Sequence, residues 1–208
     1  MLTSLSVTDL LDEIASNSPA PGGGSVSALA AALGSALTSM VCRLTIGKKN
    51  YADVQIEIEN VLKRSEELRV QFHAMIDEDT AAFNKVMAAY GLPKGSEEQK
   101  VICTTAIQEA MKTATLVPLN LMGLCIEAIA LVKIIVERGN QRSISDAGVA
   151  TLMLQAGCEG AALNVKINLG TIRDASFVAQ TKTKLEQYRT SLETVTSDIF
   201  ARVKKQLP

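Results

Sequence analysis

The sequence predicts an all-α, single-domain helical bundle with long antiparallel helices, and three observations carry that prediction. The five prolines fall at positions 19, 21, 93, 118 and 208, which leaves Gly22–Leu92 and Leu119–Leu207 free of the residue that breaks helices. Apolar residues recur at spacings of three and four, and no stretch alternates with period two for long enough to argue a sheet. The 208 residues are 47% hydrophobic but only 3% aromatic, with no Trp, so the core should be aliphatic and alanine-rich. No internal repeat or linker divides the chain, and residues 1–208 are expected to fold as one unit.

The elements follow in order. Ser6 or Thr8 caps a first helix that ends near Ala15, where NSPAP forces a turn. The second helix opens in the glycines of PAPGGGS and ends near Gly47. A third runs from about Asp53 to Tyr90, stopped by Gly91 and Pro93; its early text, VQIEIENVLKRSEELRVQ, has the charge mixture of an exposed face. The fourth begins near Ser96, where SEEQ places acids in the first turn, and continues to Arg138, with Pro118 expected to kink or split it. RGNQRSISD is a connector with a Gly stop and Ser caps. A fifth helix then reaches about Leu169, and a sixth spans about Asp174 to Lys205. Small residues at helical spacing predict close backbone approach, within the bundle or across a dimer: Ala28, Ala32, Ser35 and Ser39 on the second helix, and Ala147, Ala150, Gly157, Ala161 and Asn164 on the fifth.

Charge and cysteine usage narrow the function. A net charge of -1 argues against a nucleic-acid partner. Cys42, Cys103, Cys125 and Cys158 stand far apart with a single histidine, His73, which has no obvious partner. That pattern offers no zinc spacing, CxxC or disulfide framework, so a reduced cytoplasmic protein without a metal site is expected. MLTSLSVTDLLDEIAS lacks the basic region and cleavage site of a signal peptide. The apolar run Val26–Ile46 is interrupted by Ser27, Ser35, Thr38, Ser39 and Arg43, which favours a buried helix over a membrane span.

Chemistry is most legible in MIDEDTAAFNKVMAAYGLPK. Phe72, Met75, Ile76, Phe83, Val86 and Tyr90 form one apolar stripe with Asp79 in its middle. Asp77 lies about 200° away around the helix and points with Ala81 and Asn84, while Glu78 takes a third, solvated direction. A carboxylate among apolar neighbours gains proton affinity, which suits a general acid or base; the same pattern also fits a buried acid satisfied by Ser or Thr hydroxyls. Gly22, Gly23, Gly24 and Ser25 open a helix with bare N–H groups, suited to an anion, a polar heterocycle or a crossing helix. Asn164 and Asn168, four apart, could read the donor and acceptor edge of a heterocycle or bond across helices. Lys48 and Lys49 could receive carboxylates or simply favour a helix end.

Taken in order, PAPGGGSVSA, MVCRLTIGKKNY, MIDEDTAAF with AYGLPK, TATLVPL, and GNQRSISDAGVA with GAALNVKINL resemble the cyclodeaminase/cyclohydrolase family of folate enzymes. That family includes the C-terminal domain of formiminotransferase-cyclodeaminase and stand-alone bacterial methenyltetrahydrofolate cyclohydrolases. The likeness runs from about Leu10 to Phe177; the last helix is generic. It implies an all-α homodimer or higher assembly with no metal and no tightly bound cofactor, acting on a tetrahydrofolate derivative. It also implies that the second acid of the family's D-x-D motif, Asp79 here, is catalytic, with Asp77 or Asp146 in support. Gly22, Gly23, Gly24 and Ser25 would then wall a folate pocket, Asn164 and Asn168 would read the pterin, and Lys48 or Lys49 would meet the glutamate tail. TIGKKNY, VMAAYGLPK and ISDAGVA are more similar to the cyclohydrolases, with cyclodeaminase activity the alternative and a non-catalytic helical binding dimer a further one.

Overall fold

In the computed structural model, which describes residues 1–207, six α-helices follow one another with three short 3-10 turns and no strand among the described residues. They are α1 (Val7–Ile14), α2 (Gly23–Thr45), α3 (Gln55–Tyr90), α4 (Glu97–Arg138), α5 (Ile144–Leu169) and α6 (Ala175–Gln206). Local chemistry sets their starts. Ser6 accepts from the Asp9 N–H, Asp174 accepts from the Phe177 N–H, and Ser96 with Gln99 forms a reciprocal capping box. At the end of α2, Gly47 takes φ 78°, a left-handed turn that a side chain would strain.

Neighbouring helices run antiparallel. The Asp79 level of α3 meets the start of α2, and Ser65 donates to the Ser35 carbonyl further along. Arg138 at the end of α4 reaches Asp53 and Glu57 near the start of α3. Helices α2 to α5 form a four-helix bundle around a continuous aliphatic core that includes Leu68, Phe72, Met122, Ile129 and Leu154, and α6 lies in the groove between α4 and α5.

Small residues let α2 approach α5 closely inside one chain, while Ser35 and Ser39 of the α2 stripe meet Ser65 on α3. A Cβ at Gly34 would stand 2.7 Å from Leu154 Cγ and 2.9 Å from the Ala150 carbonyl, and one at Gly157 would stand 2.7 Å from the Ser27 carbonyl. Backbones that close leave no room for a methyl group. Helices α2 and α4 are long and apolar enough to cross a bilayer, with 56% and 50% of their most apolar windows buried.

Pro118 does not split α4, which stays continuous over 42 residues. A proline leaves the carbonyl four residues earlier without its helical donor. That carbonyl belongs to Ala114, and Asn168 Nδ2 on α5 donates to it at 2.9 Å. The side chain on α5 therefore supplies the bond that α4 lacks.

Candidate functional site

At one end of the bundle the start of α2, the second half of α3, the first half of α4 and the end of α5 surround a cleft of about 420 Å³. The segment Pro19–Gly22 closes one side of it. Antiparallel topology makes the cleft, because it gathers the N-termini of α2 and α4 with the C-terminal parts of α3 and α5.

Asp79 is half-buried in its wall. Burial pushes its carboxyl pKa above the ordinary 3.8, and hydrogen bonds from the Ser25 hydroxyl and amide hold it back only in part. The carboxylate lies directly over Gly24, where a methyl group would collide with it. Asp79 therefore meets the α2 N-terminus at a position where any side chain would have to displace the carboxylate. Ser25 Oγ lies 2.8 Å from the Ile76 carbonyl, 3.2 Å from Asp79 Oδ2 and 3.2 Å from Thr80 Oγ1. Its single proton can serve the carbonyl or the carboxylate, not both, so Asp79 has a hydroxyl partner whether it is charged or protonated.

The two asparagines present acceptors. Asn164 Nδ2 donates to the Gly160 carbonyl at 2.9 Å and Asn168 Nδ2 to the Ala114 carbonyl, which fixes both amides and leaves each Oδ1 without a hydrogen-bond donor among the described residues. No Lys, Arg or His lines the cleft. Its floor is apolar, with Ala82, Phe83, Val86 and Met111. The arrangement suits a flat ring that carries N–H donors and positive charge.

The structure thus gathers Asp79, Gly22, Gly23, Gly24, Ser25, Asn164 and Asn168 in one place, and it separates four other candidates from them. Asp77 faces the N-terminal segment, where it accepts from the Leu2 N–H at 2.6 Å and the Thr3 hydroxyl at 2.7 Å. Burial raises its pKa, but the bonds from Thr3 and Leu2 outweigh that and the net shift is downward. This is a carboxylate committed to holding the chain start, and it lies outside the cleft. Lys48 and Lys49 are exposed beyond the far end of α2, about 33 Å along that helix from the glycines. Asp146 sits in the first turn of α5, about 27 Å along the helix from Asn164. At that end TIGKKNY and GNQRS form a latch: the Asn140 N–H donates to Thr45 Oγ1 at 2.9 Å, and the Gln141 N–H donates to the Tyr51 hydroxyl at 3.0 Å.

Sequence reasoning missed Met87, Met111, Ala114, Ile167, Thr171 and the Thr80 hydroxyl. Only Ala114 carried a readable signal, as the residue four before a proline inside a helix. Phe83, Val86 and Tyr90 were visible as part of the stripe, but not as lining of the cleft. His73 and Glu78 are exposed, and the four cysteines are free and buried. No group of three His, Cys, Asp or Glu side chains stands close enough to hold a metal ion among the described residues.

Comparison with known proteins adds a second line. A sequence profile of the formiminotransferase-cyclodeaminase family matches residues 6–187. The chain is 44% identical over 201 residues to methenyltetrahydrofolate cyclohydrolase from Methylorubrum extorquens, covering 97% of each. It is 32% identical over 205 residues to formimidoyltransferase-cyclodeaminase from Rattus norvegicus, spanning 97% of this chain and 38% of that one. The crystal structure of formiminotetrahydrofolate cyclodeaminase from Thermotoga maritima superposes with a TM-score of 0.87 at 32% identity, over 100% of this chain and 98% of that one.

Proposed function

The chain belongs to the formiminotransferase-cyclodeaminase family, and on that premise we propose that it is a methenyltetrahydrofolate cyclohydrolase, converting 5,10-methenyltetrahydrofolate to 10-formyltetrahydrofolate. The observation that carries this reading is a cation-free cleft lined by acceptor oxygens around one half-buried carboxylate. The methenyl bridge is an amidinium cation and the pterin ring carries N–H donors, so the ligand's charge and hydrogen-bond pattern complement those of the cleft. The near-full-length relative at 44% identity supports the same reaction.

The mechanism needs proton management more than electrophilic activation, since the amidinium carbon is already electron-poor. Asp79, as carboxylate, takes one proton from a water whose oxygen bonds to that carbon, giving a neutral tetrahedral adduct. Protonated Asp79 then delivers that proton to N5. The C–N5 bond breaks with its electron pair left on nitrogen, and the adduct hydroxyl releases its proton to solvent as the N10-formyl carbonyl forms. One proton is released overall and Asp79 returns to its starting state. Ser25 serves both states through its two alternative bonds. The reaction calls for no resident metal or cofactor.

The enzyme is proposed to act in the cytoplasm as a homodimer or higher homo-oligomer; four unpaired thiols support a reducing compartment. The solved relative favours a second reading, cyclodeaminase activity, which releases ammonia from 5-formimidoyltetrahydrofolate. Following the methenyl chromophore with purified protein against the spontaneous rate decides between them. Acceleration that disappears in folded Asp79→Asn supports the hydrolase, and ammonia release from the formimidoyl compound without that acceleration would replace it.

A further inference from the structure

We propose that Thr80 is a positioning residue for Asp79: its hydroxyl donates to Ser25 Oγ and so turns the single Ser25 proton onto the Asp79 carboxylate, which keeps that group charged and able to take a proton from water. The link to catalysis rests on the reading of Asp79 as the general base of a folate cyclohydrolase; the bonding pattern does not.

Thr80 departs from the habit of the other helical threonines. Eight of them in α2, α4, α5 and α6, Thr38, Thr115, Thr151 and Thr196 included, donate to the carbonyl four residues earlier in their own helix. For Thr80 that carbonyl belongs to Ile76, and Ser25 Oγ reaches it from α2 at 2.8 Å. Thr80 Oγ1 lies instead 3.2 Å from Ser25 Oγ, the one hydrogen-bond partner of its hydroxyl among the described residues.

Proton counting fixes the direction of that bond. Ser25 Oγ has three oxygen neighbours, the Ile76 carbonyl, Asp79 Oδ2 and Thr80 Oγ1. A carbonyl and an ionised carboxylate only accept, so one of them takes the Ser25 proton, and Thr80 alone has a proton to give in return. With Ser25 on the carboxylate the groups form a chain, from the Thr80 hydroxyl to the Ser25 hydroxyl to Asp79, in which each bond polarises the next. The Ile76 carbonyl can release Ser25 because the Thr80 N–H still serves it within α3. Without the Thr80 hydroxyl, the Ser25 proton rests on the nearer carbonyl and the carboxylate loses its hydroxyl donor.

Few other groups bear on the Asp79 charge. Ser25 is 2% exposed and Thr80 is half-buried, and neither lines the cleft, so both reach the chemistry through Asp79. Arg43, the sole charged residue of α2, lies at the far end of that helix. On α3, Asp77 faces the N-terminal segment and Glu78 is exposed. The parts of α4, α5 and Pro19–Gly22 that line the cleft carry no titratable side chain, and Tyr90 stands about 16 Å further along α3.

The Asp79 carboxyl can be titrated directly by carbon NMR on protein labelled at its aspartate carboxyls, its resonance assigned by loss in Asp79→Asn. Thr80→Val keeps the shape and removes the hydroxyl, so the midpoint should move to higher pH. Thr80→Ser should restore the wild-type midpoint. In a Ser25→Ala background Thr80→Val should move it no further, because Thr80 acts only through Ser25. An unmoved midpoint in Thr80→Val, no restoration by Thr80→Ser, or an equal move in the Ser25→Ala background would overturn the chain. With 5,10-methenyltetrahydrofolate as substrate, the acid limb of kcat/KM should move with the carboxyl, so that Thr80→Val loses about threefold more activity on that limb than on the plateau. A shifted carboxyl with an unshifted limb would overturn the catalytic link alone. If wild type turns over no folate, the function fails while the carboxyl titration still judges the chain.

Discussion

Asn168 Nδ2 donates to the Ala114 carbonyl at 2.9 Å, and that carbonyl is free because Pro118 has no N–H to offer it. One bond thus completes the α4 backbone and orients an amide whose oxygen lines the cleft. Asn168→Ala should cost about 1–2 kcal/mol by stranding the carbonyl. In a Pro118→Ala background the regained N–H satisfies it, so the cost should shrink. A double-mutant cycle by urea denaturation checks this, and strict additivity would show that the two residues act separately.

Asp79 makes opposite predictions for rate and stability. Asp79→Asn should lower kcat by about 10²–10⁴-fold, the range of a lost general base. In the folded protein the Asp79 pKa is raised above 3.8, so folding favours the protonated acid and the charge destabilises at neutral pH. The variant should therefore unfold at higher urea than wild type at pH 7. That advantage should fade as pH falls through the raised pKa and vanish below the ordinary 3.8, while wild-type kcat/KM declines over the same acid limb. Paired urea titrations and pH profiles measure both.

Gly24 and Gly23 should differ sharply although they are adjacent. A methyl at Gly24 meets the Asp79 carboxylate, whereas one at Gly23 lies 3.4 Å from Asn164 Nδ2, an ordinary contact. Gly24→Ala should reduce kcat/KM by about 100-fold through displacement of Asp79, with Gly23→Ala costing far less. Steady-state kinetics on the two variants would show equal losses if the glycines served only as a generic flexible turn.

Stability should rise where a buried hydroxyl is removed. Ser35 Oγ is enclosed without a hydrogen-bond partner among the described residues. Ser35→Ala should stabilise by about 1 kcal/mol, read from the denaturation midpoint at unchanged m-value. Gly34→Ala, one residue away, should destabilise by about 1–2 kcal/mol because its methyl meets Leu154 and the Ala150 carbonyl on α5.

The helices themselves were legible in the sequence, because they depend on local chemistry: Ser6, Ser96 and Asp174 as caps, proline-free runs, and apolar spacing of three and four. Asp79 was legible for the same reason, as a charge inside an apolar stripe. Tertiary structure decided what local spacing cannot express. Antiparallel packing brought Gly24 under Asp79 and Asn164 beside Gly23, from parts of the chain far apart in sequence. It also sent Asp77 to the N-terminal segment and put Lys48, Lys49 and Asp146 at the opposite end, since helices of 23 and 26 residues separate their two termini by more than 30 Å. A sequence motif records which residues travel together, but helix length and direction determine which of them can meet.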